Sequence, residues 1–201
     1  MTKRPEFGSA LILAGGQSSR MGFDKQFLSF DGERLVNHLV QQLRPHFADI
    51  LLVTNKAQEH DIPGIRLIQD IYPGKGPLAG IHAGLSHSQS QYLFVIACDM
   101  PYLSPEYLRY QKQQLLKAEV DILTNQDEER FIYPFHSFYS LALLDSLEAH
   151  LLQDNLKVQR FVRQAKHRMI PRAIWSQFPN TAHLFLNLNT PEDVQAYLEM
   201  R

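Results

Sequence analysis

Ser9-Ala10-Leu11-Ile12-Leu13-Ala14-Gly15-Gly16 is an apolar run that opens into paired glycines. A short apolar stretch bounded by glycine predicts a buried strand over Ser9–Leu13. Glycine lets backbone N–H groups approach a ligand without Cβ interference, and such groups cradle phosphate oxygens. The chain continues Gln17-Ser18-Ser19-Arg20-Met21-Gly22-Phe23-Asp24-Lys25, which places two cations in the same loop. Close-fitting donors followed by Arg and Lys suit a triphosphate. A lone Gly-Gly would read as a surface turn. The ordered run with both cations reads as a nucleotide-binding loop. It is not a P-loop, because Gln26 rather than Ser or Thr follows Lys25. Gly15, Gly16 and Gly22 lack the spacing of a dinucleotide fingerprint, and Arg20 stands where a nucleophile elbow needs glycine.

Outward from this run, strands and helices alternate. Leu35, Val36, Leu39, Val40 and Leu43 fall at helical spacing after an Asp31-Gly32 turn, and Pro45 stops that helix. Ile50–Val53, Arg66–Ile68 and Tyr92–Cys98 read as strands, and Gly74–Gly80 leads into a further helix. Ser104-Pro105-Glu106 and Thr190-Pro191-Glu192 each place a capping hydroxyl ahead of a first-turn proline. Strands joined by helices predict a mostly parallel α/β sheet covered on both faces.

In such sheets ligands bind beyond the carboxyl ends of the strands. Polar residues gather at those ends: the Gly15 loop, Asn55, Asp70 and Asp99. Asp99 follows a buried strand directly, in Cys98-Asp99-Met100-Pro101. A carboxylate beside a triphosphate suits Mg²⁺, which takes one or two protein carboxylates plus phosphate and water. Local sequence reads Asp99 equally as a cap or turn residue ahead of Ser104. Asp70 taken alone is a turn former. Among nine histidines there is no His-Glu-x-x-His pattern, and none is assigned a catalytic role.

Composition narrows the classes. The chain has 201 residues, enough for one domain with its own core. A formal charge of −1 argues against a nucleic-acid binder. The longest apolar run, Leu93 to Cys98, is strand-sized and predicts no membrane partner. The charged start Met1–Glu6 has no apolar segment behind it, so the sequence reads without a signal peptide and predicts a cytoplasmic protein. One cysteine, Cys98, leaves no internal disulfide and no Cys-based zinc site.

The run from Leu13 to Lys25 resembles the Leu-Ala-Gly-Gly-x-Ser-x-Arg-Met-Gly-x-Asp-Lys signature of the molybdenum cofactor guanylyltransferase (MobA) family at every defined position. Gly76-Pro77-Leu78-Ala79-Gly80 and Asn187-Leu188-Asn189-Thr190-Pro191-Glu192 match further family segments. The resemblance implies a single Rossmann-like, three-layer nucleotidyltransferase domain over residues 1–201, of the nucleotide-diphospho-sugar transferase type. It implies transfer of GMP from GTP to the terminal phosphate of molybdopterin, with Mg²⁺ as cofactor and pyrophosphate released. Arg20, Lys25 and Asp99 would be catalytic, with Asp99 on the metal. Leu13, Ala14, Gly15, Gly16, Lys25, Asn55, Asp70 and Asp99 would hold the nucleotide, with Thr54 as the alternative to Asn55. Small residues at Ala79 and Gly80 are expected to pack helix on sheet.

On the acceptor side, Asn187 and Asn189 alternate on what reads as an extended segment and would face the same way. Asn189 reads equally as an organiser of the turn before Thr190. Where the family carries an Arg-Arg pair at the start of the helix near Leu156–Ala165, this chain has Leu156-Lys157. Lys157 attracts phosphate as a point charge, without the bidentate fork. The departure bears on acceptor identity more than on nucleotide identity. Molybdenum cofactor proteins are the implied transient partners. Two alternatives stand beside this expectation: a cytidylyl or other nucleotidyl transfer to a phosphorylated acceptor, and a non-catalytic binder of nucleotide or cofactor.

Overall fold

A computed structural model describes residues 4–14, 29–30, 33–55 and 62–199. Strands β1 (Ser9–Leu13), β4 (Asp49–Val53), β5 (Arg66–Ile68) and β6 (Tyr92–Ala97) are joined in the first half of the chain with helices α1 (Leu35–Leu43, before β4), α2 (Pro77–His87, between β5 and β6) and α3 (Pro105–Lys117, after β6). A short pair, β2 (Ser29–Phe30) and β3 (Glu33–Arg34), precedes α1, and the expected Asp31-Gly32 turn lies outside the described residues. Then come β7 (Ile122–Gln126), β8 (Ile132–Ser140), α4 (Leu144–Leu152), α5 (Val158–Gln164), β9 (His167–Pro171), the single turn α6 (Arg172–Trp175) and α7 (Pro191–Glu199).

Seven strands form one sheet in the order β5-β4-β1-β6-β8-β7-β9. β1 pairs in parallel with β4 and β6, and Leu13 lies level with Val53 and Ala97. The three strands therefore end at one line. β8 runs antiparallel to both β6 and β7, and the other pairings in this sheet are parallel, so the sheet is mostly parallel as expected. Side chains alternate across the pleat. Ala10, Ile12, Leu52 and Phe94 pack towards α1 and α3, whereas Leu11, Leu13, Leu51 and Val95 pack towards α2, α4 and α5. Each fully buried aliphatic side chain contributes about 1.5–3 kcal/mol.

Local chemistry sets the helix starts. The Ser104 hydroxyl accepts from Tyr107 N–H at 3.3 Å to cap α3. At α7, Thr190 Oγ1 accepts from Asp193 N–H at 3.1 Å, while Asp193 accepts from the N–H groups of Asn189 and Thr190 at 2.8 and 2.9 Å. This reciprocal arrangement is a capping box. Gly76 precedes α2 with φ of 69°, a left-handed conformation strained for any other side chain. Two further glycines let α2 lie close on the sheet. A Cβ at Gly80 would stand 2.6 Å from Leu13 Cδ2, and one at Gly84 would stand 2.4 Å from Leu11 Cδ2.

β8 departs from regular pairing. Tyr133 lies opposite Asn125 and Phe138 opposite Leu123, so Pro134, Phe135, His136 and Ser137 bulge out against Thr124 alone. Side chains accept the task that the ladder gives up. Thr124 Oγ1 donates to the Tyr133 carbonyl at 2.7 Å and Tyr139 Oη to the Pro134 carbonyl at 2.8 Å. Ser137 Oγ donates to the Phe135 carbonyl at 3.0 Å. The His136 carbonyl accepts from Asn125 Nδ2 at 2.9 Å and Gln111 Nε2 at 2.8 Å.

Candidate active site

The ends of the parallel strands enclose a cleft of about 170 Å³. Leu13 closes β1, Val53 closes β4 and Ala97 closes β6, and all three line it. Backbone bonds carry the registration past the strand ends. Ala14 N–H donates to Val53 O at 3.2 Å, Cys98 N–H to Leu13 O at 3.0 Å and Thr54 N–H to Ile68 O at 3.0 Å. Gly76, Pro77 and Gly80 present the start of α2 to the same cleft. Gly80 thus does both things at once: it packs on β1, as expected, and it also lines the cavity.

Among the described residues two carboxylates enter the cleft, Asp70 from beyond β5 and Asp99 from beyond β6. Asp70 Oδ1 is buried with no hydrogen-bond partner. Burial raises the Asp70 pKa above the usual carboxylate range. Asp99 is partly exposed, and its carbonyl accepts from Leu188 N–H at 2.7 Å. The Met100 N–H donates to Ala97 O at 3.1 Å, which closes a tight turn around Asp99.

Among the described residues no group of three or more His, Cys, Asp or Glu side chains is arranged to hold a metal. That disfavours a closed structural site there. An open site of one or two carboxylate oxygens, completed by phosphate and water, is the donor set Mg²⁺ uses. Asp99 and Asp70 fit it, and the orphaned Asp70 oxygen is an acceptor that the protein itself leaves unsatisfied.

Other expected residues fall differently. Ala14 is buried on the α1 side of the sheet, next to the cleft rather than on its wall. Thr54 is buried and Asn55 is exposed, and neither lines the cavity. Gly15, Gly16, Arg20 and Lys25 lie outside the described residues. Lys157 is exposed at the N-cap of α5 and does not line the cleft. The segment holding Asn187 and Asn189 is no strand; it is held beside Asp99 by the Leu188 contact. Asn189 serves the α7 cap through its backbone, the turn role rather than a strand face.

Phe135 was not anticipated as part of the site. It lines the cleft from the β8 bulge. Its one sequence signal is Pro134, since proline inside a strand marks an edge or a bulge. The loop before α2 is tied down from outside the cleft. Tyr72 Oη donates to Glu148, and Lys75 Nζ reaches Leu151 O at 2.5 Å and Asp154 Oδ1 at 3.1 Å.

A larger hollow of about 450 Å³ lies elsewhere, lined by His38, Gln42, Tyr102, Asn180, His183 and Tyr197 among others. Among the described residues its walls bear no carboxylate, guanidinium or ammonium group. The smaller cleft, with its carboxylates at the strand ends, is the better site for a charged nucleotide.

Residues 10–169 match the family model described as the MobA-like NTP transferase domain. A probable molybdenum cofactor guanylyltransferase of Peptoclostridium acidaminophilum is 40% identical, over 96% of this chain and 90% of that protein. A molybdenum cofactor guanylyltransferase of Syntrophotalea carbinolica is 36% identical, over 96% and 91%. Among solved structures, molybdopterin-guanine dinucleotide biosynthesis protein A of Archaeoglobus fulgidus is 25% identical with a TM-score of 0.79, covering 96% of this chain and 97% of that one. The 2-C-methyl-D-erythritol 4-phosphate cytidylyltransferase of Thermus thermophilus, 15% identical with a TM-score of 0.68 over 97% and 98%, shares the fold.

Proposed function

The chain belongs to the MobA-like NTP transferase family, and from that premise we propose that it transfers GMP from GTP to the terminal phosphate of molybdopterin. The reading is carried by near-full-length likeness to proteins named molybdenum cofactor guanylyltransferase. A cleft with carboxylates at the strand ends supports it.

An oxygen of the acceptor phosphate attacks the α-phosphorus of GTP, a new P–O–P bond forms, and the α–β bond breaks to release pyrophosphate. A phosphate monoester is already ionised near neutral pH, so the step needs no strong general base. Catalysis then rests on positioning and on neutralising developing charge. Asp99 and Asp70 are the residues that would hold Mg²⁺, which when bound screens the phosphate oxygens. Leu13 and Gly80 shape the wall on the β1 side. Arg20 and Lys25 of the glycine loop are assigned to the triphosphate and the leaving pyrophosphate.

Thermal unfolding with Mg²⁺ and GTP, CTP, UTP or ATP tests the nucleotide. A ligand at about a hundred times its Kd adds roughly 2.7 kcal/mol, on the order of 5–10 °C in Tm for a chain this size. GTP alone is expected to give that shift. A shift with CTP alone would replace guanylyl by cytidylyl transfer, and no shift with any nucleotide would remove the proposal.

A further inference from the structure

The cleft has a direction. Beside the start of α2, its walls follow the sheet order, from the segment after β5 through the ends of β4, β1 and β6 to β8. Asp70 stands beyond β5 at one end, Asp99 beyond β6 lies further along, and Phe135 on β8 closes the other end. In the functional reading above Asp70 and the end of β1 belong to the nucleotide, which puts it on the β5–β1 side of the cleft. A two-substrate transfer centred near Asp99 then needs its second substrate on the β8 side.

We propose that Phe135 determines acceptor specificity, as the ring on which the planar heterocycle of a phosphorylated acceptor stacks. The inference rests on the two-substrate reading above. Phe135 is half-buried, packed against the α2-side core and open to the cleft. A regular ladder would not deliver it there. Bulges re-aim side chains, and this one sets four residues against one.

The bulge is also held firmly. Each carbonyl from Tyr133 to His136 accepts a hydrogen bond from a side chain. His136 adopts φ of 52°, an uncommon conformation for a residue other than glycine, and it is buried. Backbone conformations of this kind persist only where the surroundings impose them, and they gather at ligand sites. His136 Nε2 lies 2.8 Å from the Tyr102 carbonyl, three residues beyond Asp99. His136 is therefore a positioning residue that ties the bulge to the loop carrying Asp99. A ring fixed in advance loses little entropy when it stacks.

The test uses the full-length enzyme with Mg²⁺, GTP and molybdopterin. Phe135→Leu keeps apolar bulk without the aromatic face, and Phe135→Tyr restores the face. Initial rates give the acceptor KM and kcat, and calorimetry without acceptor gives the GTP Kd. Phe135→Leu is expected to raise the acceptor KM about 10-fold, the scale of one lost stacking contact, with the GTP Kd held. Phe135→Tyr is expected to return the acceptor KM to the wild-type value. If the leucine variant does not fold, Phe135→Met carries the same comparison.

An unchanged acceptor KM in Phe135→Leu, or equal losses for acceptor and GTP, would overturn the assignment while leaving guanylyl transfer intact. A wild-type enzyme that binds GTP but transfers GMP to no pterin phosphate would overturn the functional reading, and the ring's role with it.

Discussion

Asp49 and Asp70 stand at opposite ends of the parallel strands and have opposite fates. Asp49, at the start of β4, accepts from Ser9 Oγ at 2.7 Å and from Arg66 Nε and Nη2 at 2.8 and 2.9 Å. Burial pushes its pKa up, but the bonds from Arg66 and Ser9 outweigh that and hold it below the usual value. Asp70, beyond β5, has a buried oxygen with no partner and a pKa raised by burial. One carboxylate is saturated by the fold, and the other keeps a buried oxygen without a hydrogen bond. A buried acceptor without a partner costs about 1–3 kcal/mol. Its retention at the ligand end of the sheet is a sign of function.

Removing a carboxylate from the ligand end should disable chemistry without unfolding the protein. Asp99→Ala is expected to lower turnover at least about 100-fold, the scale of losing one charge-stabilising group at a reacting centre. Its Tm should stay near the wild-type value. Undiminished turnover would break the comparison, since a carboxylate at this end would then be as structural as Asp49.

His136 marks where the rule has an exception, a structural group built into the ligand end. Burial lowers its pKa to about 4, and the Tyr102 carbonyl only partly offsets that. The rings of Phe94 and Phe185 lie at 6.3 and 5.7 Å. The unfolded chain takes up a proton near pH 6.5 and the folded chain only near 4. Stability from this group is therefore full above about pH 6.5 and falls as the pH drops towards 4. The loss reaches about 3 kcal/mol at that limit. Urea unfolding of the wild type and of His136→Asn, which keeps a residue tolerant of positive φ, isolates this contribution. Parallel pH profiles for the two would place the imidazole in contact with water and remove its role in the bulge.

The pair itself gives the smallest effects, of opposite kind. Asp49→Asn should cost about 1–2 kcal/mol of stability, moderated because the Arg66 side chain is 39% exposed and regains water. Its turnover should be unchanged. Asp70→Asn should leave Tm equal or higher, because a carboxyl with a raised pKa costs stability once ionised. It should weaken GTP binding about 10-fold, as expected for one charge-assisted contact. Equal stability losses for both variants would erase the distinction between the two ends.

Much of the parallel half of the sheet was legible. The strand over Ser9–Leu13, the helix stopped by Pro45 and the two hydroxyl caps are written in local apolar spacing and capping chemistry, which neighbouring residues suffice to determine. The position of Asp99 at a strand end followed from the same spacing. The antiparallel β8 and its bulge were not legible. Pro134 interrupts the strand pattern, and the groups that repair it come from Gln111, Thr124 and Asn125 on other elements.

The sequence by itself determined the strands of the first half of the chain and the helices beside them, and therefore that polar residues gather at the carboxyl ends of those parallel strands. Only the tertiary structure decided which of those polar groups are already satisfied. Asp49 and Asp70 look alike beside their short apolar runs. Ser9, forty residues from Asp49 in the chain, and Arg66, seventeen away, meet one of them and leave the other open. Hydrogen-bond saturation depends on groups brought together by folding, and no local pattern records it.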